Sequence, residues 1–581
     1  MKIGILFGGP AREREISYSG GKTAMENIDK SLFEPVPVFV DCCGNFMLLN
    51  EENVYKSSIR AFYPPASYQP NGYSVYVDSL GKLSDNEWDI LIAKVGKKIL
   101  PHQFHQYFDF AFIAMHGPGA EDGAIQGLLE WYSIPYSGPG ILGSGVGIDK
   151  IAQNDMLKLA VGLEKKVTTL TKSDWDTKSH LALFEQVKEC VGLPFVVKAP
   201  HQGSSIGVAF VKIDDIADFE KAVGQCLFIK EVSALEWNNL NAENKQKYIQ
   251  SIINLDEGIG FPLSINDEVF FDPIKLYEKL ELELSAKEKL ELVSTNREDA
   301  VLFESFVYGQ EFSCGVIQTP DCEAVALPPT EVVKVVEVFD FASKYKPGAT
   351  RKKMPIDTTL ENNLMAQNAV KLAFERLGFG VCTRIDGFLT PENVVVLHDP
   401  NTIPGMSPTS FIFKQMAEIG LNVTDAITYF IRQSIRERIR TGKMTFKFNS
   451  LLKKLDLKIE ARKENLKFRK PIAIVFGGDD IEILDQNYAK ARKEYGRLSA
   501  TNHTLPVPYL VWKGINYQLP VQLMFKDFAE DLLKFIDADV HPLIAITRKN
   551  AITITNHFVG EVDFSVKKVN EIVGEKVEYL N

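Results

Sequence analysis

No run of about 18 apolar residues occurs anywhere in the chain, which excludes a membrane-spanning helix. The opening Ile3-Gly4-Ile5-Leu6-Phe7 is cut short by Gly8-Gly9, too soon for the apolar core of a secretion signal. Cysteine is sparse. The 7 residues (Cys42, Cys43, Cys190, Cys226, Cys314, Cys322, Cys382) are scattered and form no CxxC pair, so neither a disulfide framework nor a zinc cage is indicated. Basic charge is not in surplus either: 65 Lys+Arg stand against 76 Asp+Glu, a net charge of -11. That balance opposes a whole-protein grip on nucleic acid, so a bound anion needs a local cationic pocket. The expectation is a soluble cytoplasmic protein that engages neither membrane nor nucleic acid.

Hydrophobic residues at 45% and charged residues at 24% are those of a globular protein with ample core. At roughly 100 to 200 residues per domain, 581 residues allow three to five domains. Lys2 to Phe7 reads as a buried strand stopped by glycines, and Ser17 to Ile28 as the helix that follows. Phe108 to Ala114 and Ile134 to Tyr136 alternate with a helical stretch, Ala124 to Trp131, the rhythm of a parallel sheet with crossover helices. Leu193 to Val197, Val208 to Val211, Val301 to Phe306 and Glu311 to Ile317 read as strands of a central antiparallel α+β lobe, and Val394 to His398 as a strand ending the next section.

Two composition shifts punctuate the chain. Residues 251 to 300 hold twelve acids and five bases, and within them Lys279 to Val293 (KLELELSAKEKLELV) fits helix and strand equally well. A surface insertion over about 212–300 is expected. Residues 432 to 470 hold fourteen bases and four acids and are expected as a linker, free to lie against the acidic insertion. Beyond it the chain begins again: PIAIVFGG at Pro471 to Gly478 answers KIGILFGG at Lys2 to Gly9, and PVPYLV at Pro506 answers PVPVFV at Pro35. PLIAIT at Pro542 to Thr547 is expected to answer FAFIAM at Phe110 to Met115. The second copy lacks the ligand-contacting text of the first, so a cut near Lys463 is expected to leave activity largely intact.

Several loops carry chemistry. Glu13 stands at a helix entry, where its carboxylate can meet an ammonium group. His116-Gly117-Pro118-Gly119 follows a strand at the carboxyl edge of the first sheet, where ligands settle in open α/β folds. Lys198 ends a strand and leads into Gly203-Ser204-Ser205-Ile206-Gly207, a phosphate cradle of backbone N–H and hydroxyl groups that is not a Walker loop. Asp386, Asp399 and Asn401 offer three hard oxygen ligands suited to Mg²⁺.

Taken together, FGGPAREREIS, MHGPGAEDGAIQGLLE, IPYSGPGILGSGVGIDK, LPFVVKAPHQGSSIGV, VLFESFVYGQE, SKY, TRIDGFL and NTIPGMSP, in this order over about residues 1 to 440, resemble the D-alanine-D-alanine ligases of the ATP-grasp superfamily. The resemblance implies α/β and α+β architecture: an N-terminal α/β substrate domain (1–145), a central ATP-grasp lobe (146–320), and a C-terminal lobe with ω-loop and metal site (321–445). A basic linker (446–464) and an accessory α/β repeat of the first domain (465–581) would follow.

It also implies roles. Lys150 and Lys198, with Gly203 and Ser205 of the cradle, would bind nucleotide phosphates, Glu304 would flank the adenine and Glu311 the ribose. Lys344 would lie near the transferred phosphoryl group, and Arg384 would stabilise the oxyanion. Asp386, Asp399 and Asn401 would hold Mg²⁺ or Mn²⁺; the family commonly carries Glu where Asp399 stands. Glu13 and His116 would surround the first D-alanine, Ser204 and Tyr345 would close the ω-loop with Glu13, and Ser410 would contact the second substrate's carboxylate. The implied activity is ATP-dependent joining of two D-alanines for peptidoglycan by a homodimer. A different amino acid pair, or a silent ATP-binding regulator, is the alternative.

Overall fold

The computed structural model describes residues 1–162, 165–334 and 350–580. Lys344 and Tyr345 therefore lie outside the described residues. Five sheets organise the chain. The first has strand Lys2–Gly8 at its heart, parallel to Glu34–Val40 on one side and Phe110–Ile113 on the other, with Phe46–Leu49 and Gly96–Ile99 continuing antiparallel. Every residue of Lys2–Gly8 beyond the first is buried, as a strand covered on both faces demands. The helix Arg14–Asn27 packs on it. Helix Ala124–Trp131 falls where the sequence places it. The boundary expected near Gly145 lies inside helix Ile141–Ile148, which turns at Asp149 directly into helix Lys150–Val161.

Two antiparallel sheets face each other across a cleft. One orders strands Val167–Thr171, Ala300–Ser305, Phe195–Lys198 and Val208–Val211. The other runs from Thr350–Lys353 through Thr330–Lys334 and Gln310–Gln318 to Cys382–Leu389 and Val395–Asn401. Strand Gln310–Gln318, expected in the central lobe, thus belongs to the second sheet, where it pairs with Cys382–Leu389 along eight residues.

The insertion is a folded unit with its own sheet, Glu268–Phe270, Leu263–Ile265, Lys289–Ser294 and Ile229–Ser233, and its own core around Trp237, Leu276 and Leu280. The ambiguous segment divides at Ser285-Ala286: helix Pro273–Glu283 comes before it and strand Lys289–Ser294 after it. Asp272 caps that helix and Pro273 starts it, which settles the first half. The second half alternates buried Leu290 and Leu292 with exposed Lys289 and Glu291.

The last sheet orders Lys567–Val569, Ile515–Gln518, Thr504–Trp512, Lys470–Gly477 and Glu575–Tyr579, with the same sequence of parallel and antiparallel neighbours as the first sheet. The repeat is therefore structural, but its third segment is not the one expected. Pro542–Asn550 is a helix, begun by Pro542 after a capping His541, and it buries Leu543, Ile544 and Thr547 at helical spacing. Glu575–Tyr579 takes the place of the expected strand.

The basic segment differs from expectation as well. Residues 446–464 form part of one continuous helix, Thr445–Leu466, which buries Phe448, Leu452, Leu455 and Ile459 against its neighbours. Its charges are paired locally: Arg462 lies 2.5 Å from Asp29 and 2.7 Å from Asp425, and Arg432 reaches Asp456 at 2.9 Å. Among the described residues no ion pair joins residues 432–470 to 251–300. The acidic unit docks instead on the first domain, because a short-range guanidinium with matched acceptors outweighs two net charges screened over a Debye length of about 8–10 Å. Arg12 supplies it. Its Nη2 donates to Ile259 O at 2.7 Å, Ser294 Oγ at 3.0 Å and Asn296 O at 3.2 Å, and its plane lies 3.6 Å from the centre of the Phe228 ring.

Candidate active site

The cleft between the two antiparallel sheets is built around buried charges. Lys198, at the last position of its strand, lies 2.9 Å from Glu304 and 3.2 Å from Asp399, residues of opposite sheets. Lys165 adds a second cation to Glu304 at 2.8 Å, and Asn154 Nδ2 donates to the same oxygen at 2.9 Å. Burial acts to neutralise each of these groups, but the mutual attraction wins: Lys198 is held above its ordinary value by Asp399 and Glu304, and both carboxyls are held below theirs. Lys165 goes the other way, burial pushing its ammonium down despite Glu304.

Lys150 opens its helix beside Asp149, whose side chain accepts from the N–H groups of Ile151 and Ala152. A cation at the positive end of a helix is disfavoured. Its position answers to other partners: the Nζ donates to Gln202 O and lies 4.0 Å from Asp399. The loop holding Gln202 is fixed from beneath by Glu298, which takes a 2.8 Å contact from His201 and accepts from Gln202 Nε2 at 2.7 Å. Within the cradle, Ser204 and Ser205 both adopt left-handed φ (53° and 65°), a strained pair characteristic of ligand-clamping loops.

Glu13 reaches this loop from the first domain. Ser204 Oγ donates to Glu13 Oε1, and the carboxylate lies so close to the backbone that a Cβ at Gly117 or Gly203 would come within 2.7 Å of it. Those two glycines are there to admit the carboxylate. Burial, assisted by Glu121, pushes the Glu13 carboxyl up, against the pull of His116, Ser204 and Lys150. Glu13 Oε2 and His116 Nε2 are buried without a hydrogen-bond partner among the described residues, as is Ser410 Oγ across the site. Unpaired buried polar atoms are costly, so each of the three is a point where a group of a bound ligand can be accommodated. His116 is held above its ordinary value: burial opposes protonation, but Glu121, 3.7 Å from Nδ1, and Glu13 favour it more.

On the second sheet, Arg384 and Asp386 form a bidentate pair (3.1 and 3.0 Å), and Ser313 Oγ donates to Asp386 at 2.7 Å. The strand pairing shifts register between Arg384 and Asp386, opposite Asp399 at φ 43°, a bulge that re-aims side chains toward the cleft. Asn401 Nδ2 donates to Asp399 O at 2.6 Å. Among the described residues no group of three or more His, Cys, Asp or Glu side chains is arranged to hold a metal unaided. Two carboxylates and one amide oxygen do fit an ion that completes its shell with phosphate and water. Glu311 sits on strand Gln310–Gln318, at the outer end of its pairing with Cys382–Leu389.

The structure therefore brings Glu13, His116, Ser204, Lys150, Lys198, Glu304, Arg384, Asp386 and Asp399 around one cleft. Sequence reasoning missed Arg12, Glu121, Lys165 and Glu298. Glu121 was visible only as part of a glycine loop, yet it accepts from Gly117 N at 2.8 Å and Ile403 N at 3.2 Å, tying the first domain to the loop before Ser410. Glu15 serves as a cross-strut, accepting from Ile59 N at 3.0 Å and Tyr76 OH at 3.1 Å.

The chain matches the family model described as D-ala D-ala ligase N-terminus over residues 2–139, and that described as D-ala D-ala ligase C-terminus over 160–231 and 281–432. It belongs to the D-alanine–D-alanine ligase family. The ligase of Bacillus cytotoxicus is 25% identical over 448 residues, covering 77% of this chain and 99% of the relative. That of Azobacteroides pseudotrichonymphae is 28% identical over 386 residues, covering 66% and 94%. Among solved structures, the VanG D-Ala:D-Ser ligase from Enterococcus faecalis is similar with a TM-score of 0.49 and 19% identity, covering 74% of this chain and 99% of that one. The gap at 232–280 coincides with the docked unit, and residues from 433 onward lie outside the ligase match.

The residues in that gap include Leu255 and Ile259, whose carbonyls Arg12 holds. Arg12→Met should leave the buried carbonyls of Leu255 and Ile259 unpaired, lowering the opening free energy of residues 255–296 by about 1–3 kcal/mol. Amide hydrogen exchange reads this directly; unchanged protection would show that apolar packing alone holds the unit.

Proposed function

We infer that the protein is an ATP-dependent ligase that joins two D-alanine molecules through a D-alanyl phosphate intermediate, for peptidoglycan precursor synthesis. The observation that carries this is the junction of Glu13, Gly117, Gly203 and Ser204, which seats a buried, incompletely paired carboxylate next to a phosphate cradle and the Lys150, Lys198 and Arg384 cations.

A carboxylate is a poor acyl donor, and phosphorylation makes it a good one. Glu13 would bind the ammonium of the first D-alanine, a cation that relieves the cost of burying its charge, while protonated His116 would face the carboxylate. Lys150, Lys198, Gly203 and Ser205 would hold the ATP phosphates, and Glu304 and Glu311 the adenine and ribose ends. In phosphoryl transfer, positioning and charge neutralisation supply most of the catalysis. The second D-alanine, its carboxylate on Ser410, would then attack the acyl phosphate with its amine. An amide bond forms, phosphate leaves, and Arg384 would stabilise the tetrahedral oxyanion between those events. Lys344 and Tyr345 would complete the phosphoryl site and the ω-loop closure.

Asp386, Asp399 and Asn401 would hold Mg²⁺, with Mn²⁺ as substitute. When bound, it neutralises phosphate charge. Asp399→Asn should raise the Mg²⁺ concentration for half-maximal rate by about 10- to 100-fold, and an unmoved titration curve would remove Asp399 from the metal site. We assign residues 1–145 to donor binding, 146–320 and 321–445 to the nucleotide and metal site, and 465–581 to an accessory role. Exposed Trp131, Ile141 and Leu142 on adjoining helices fit a face covered by a second copy in a homodimer. No described helix is long and apolar enough to cross a membrane; action in the cytoplasm is part of the proposal.

The deciding assay is ADP release and dipeptide formation by purified protein with ATP, Mg²⁺ and single or paired D- and L-amino acids. D-alanine alone should give D-alanyl-D-alanine. Turnover only with another pair would change the substrate assignment, and ATP binding without any ligation would mark a regulator.

A further inference from the structure

The C-terminal repeat lies outside the ligase match, yet it grips the acceptor side of the cleft. Helix Phe411–Ala417 begins at Ser410, whose hydroxyl is not used as its cap. Lys414, on the second turn, is buried and pairs with Asp527 of the repeat. The same carboxylate lies 3.9 Å from Lys352, on the strand that leads back from residues 335–349. Lys352 in turn lies 3.5 Å from Thr409 O and 4.6 Å from the Phe411 ring centre, the two residues flanking Ser410. Arg384 faces that ring at 5.8 Å. Lys526 and Arg548 hold Glu418, at the far end of the helix, at 2.8 and 3.3 Å.

We propose that Asp527 is a positioning residue for the acceptor substrate, holding Lys414 and Lys352 so that Ser410 stays aimed at the second amino acid's carboxylate. This rests on the ligase reading and extends it to a domain that the ligase match does not reach. Two ammonium groups converge on one carboxylate. Burial pushes Lys414 down to about 7, with Lys352 adding to the shift and Asp527 opposing it. Without the Asp527 charge the two lysines repel, and the turn carrying Thr409, Ser410 and Phe411 loses its anchor on both sides.

The two half-reactions separate the outcomes. A donor-side defect lowers ADP release itself, whereas an acceptor-side defect leaves ADP release and wastes the acyl phosphate on water. Asp527→Asn should therefore cut dipeptide formed per ADP by about 10- to 100-fold, the scale of a small misplacement in a reacting pair, with the ATP dependence of ADP release unchanged. Asp527→Glu should recover most of the coupling. Glu575→Gln, which breaks the Lys470–Glu575 pair inside the repeat, should couple as wild type. Hydrogen exchange over residues 408–417 should rise in Asp527→Asn alone. Wild-type coupling and exchange in Asp527→Asn would overturn the proposal, as would an equal loss in all three variants with lowered melting temperature, which marks a purely structural role. If the wild type joined no D-alanine, the ligase reading would fall by itself; the exchange comparison would then decide, with unchanged protection of 408–417 overturning the positioning role.

Discussion

Lys198→Ala should lower kcat by about 10²- to 10³-fold, the usual loss when one preorganised charge donor is removed from a transition state. The magnitude follows from where the ammonium sits: it is the cation shared by Glu304 of one sheet and Asp399 of the other, at 2.9 and 3.2 Å, in a site with little solvent. Its removal would take away the proposed phosphate contact and also leave Asp399 leaning on Lys150 at 4.0 Å and His398 at 3.1 Å. Unpairing a buried charge costs roughly 3–5 kcal/mol, so stability must be read alongside rate. The sign with pH is fixed. Glu304 and Asp399 are depressed in the folded protein, so they contribute stability above the ordinary carboxylate range and lose it as pH falls through their lowered values. In the variant this acid-side loss should begin at higher pH. ADP release at saturating ATP, with circular dichroism as a check on folding, measures the effect; wild-type turnover would remove Lys198 from the phosphate site.

Removing residues 464–581 should abolish soluble, active protein, the reverse of what the text of the repeat leads one to expect. The repeat is not tethered by a linker. One continuous core holds Ile3 and Phe7 of the first domain, Met416, Ile419 and Tyr429 of the C-terminal lobe, and Phe476, Tyr488 and Phe558 of the repeat. The Tyr429 ring meets Phe558 edge-on at 5.5 Å, and Thr555 Oγ1 donates to Ile419 O at 2.7 Å. The cut would expose this apolar face to water and strip Lys414 and Glu418 of their Asp527, Lys526 and Arg548 partners. At roughly 1.5–3 kcal/mol for each large apolar side chain returned to water, exposing Met416, Ile419, Tyr429 and their neighbours forfeits an amount comparable with a whole domain's stability of about 5–15 kcal/mol. Size-exclusion chromatography and ADP release on the truncated chain test this. A monodisperse product with wild-type turnover would show that the two parts fold and act independently.

The cut and the Asp527 variants ask different questions of the same interface. The first removes a core face, and the second removes one half-buried charge while leaving the apolar core in place.

Local chemistry is what the sequence by itself determined. The buried strand Lys2–Gly8, helix Ala124–Trp131 and strand Val208–Val211 follow from periodicity and stop signals, which act within a few residues. A lysine at a strand end leading into glycines 203 and 207 suggested a phosphate cradle, and carboxylates on neighbouring strands a hard metal ion, because each residue type is suited to its ligand whatever surrounds it. Partnership across the chain was not legible. Asp527 is 113 residues from Lys414, and Arg12 is 247 from Ile259. Neither pairing leaves a local pattern, since a carboxylate on a surface turn reads the same whether it faces water or a buried ammonium. The similar texts of Phe110–Ile113 and Pro542–Thr547 make the same point. Only packing decided that the first pairs with Lys2–Gly8, while the second, capped by His541 and started by Pro542, becomes a helix whose apolar residues face one side. Tertiary structure likewise turned most of a run of fourteen bases into two packed helices, because Arg432, Arg438, Arg440 and Arg462 found acceptors within hydrogen-bond reach, where geometry counts for more than net charge.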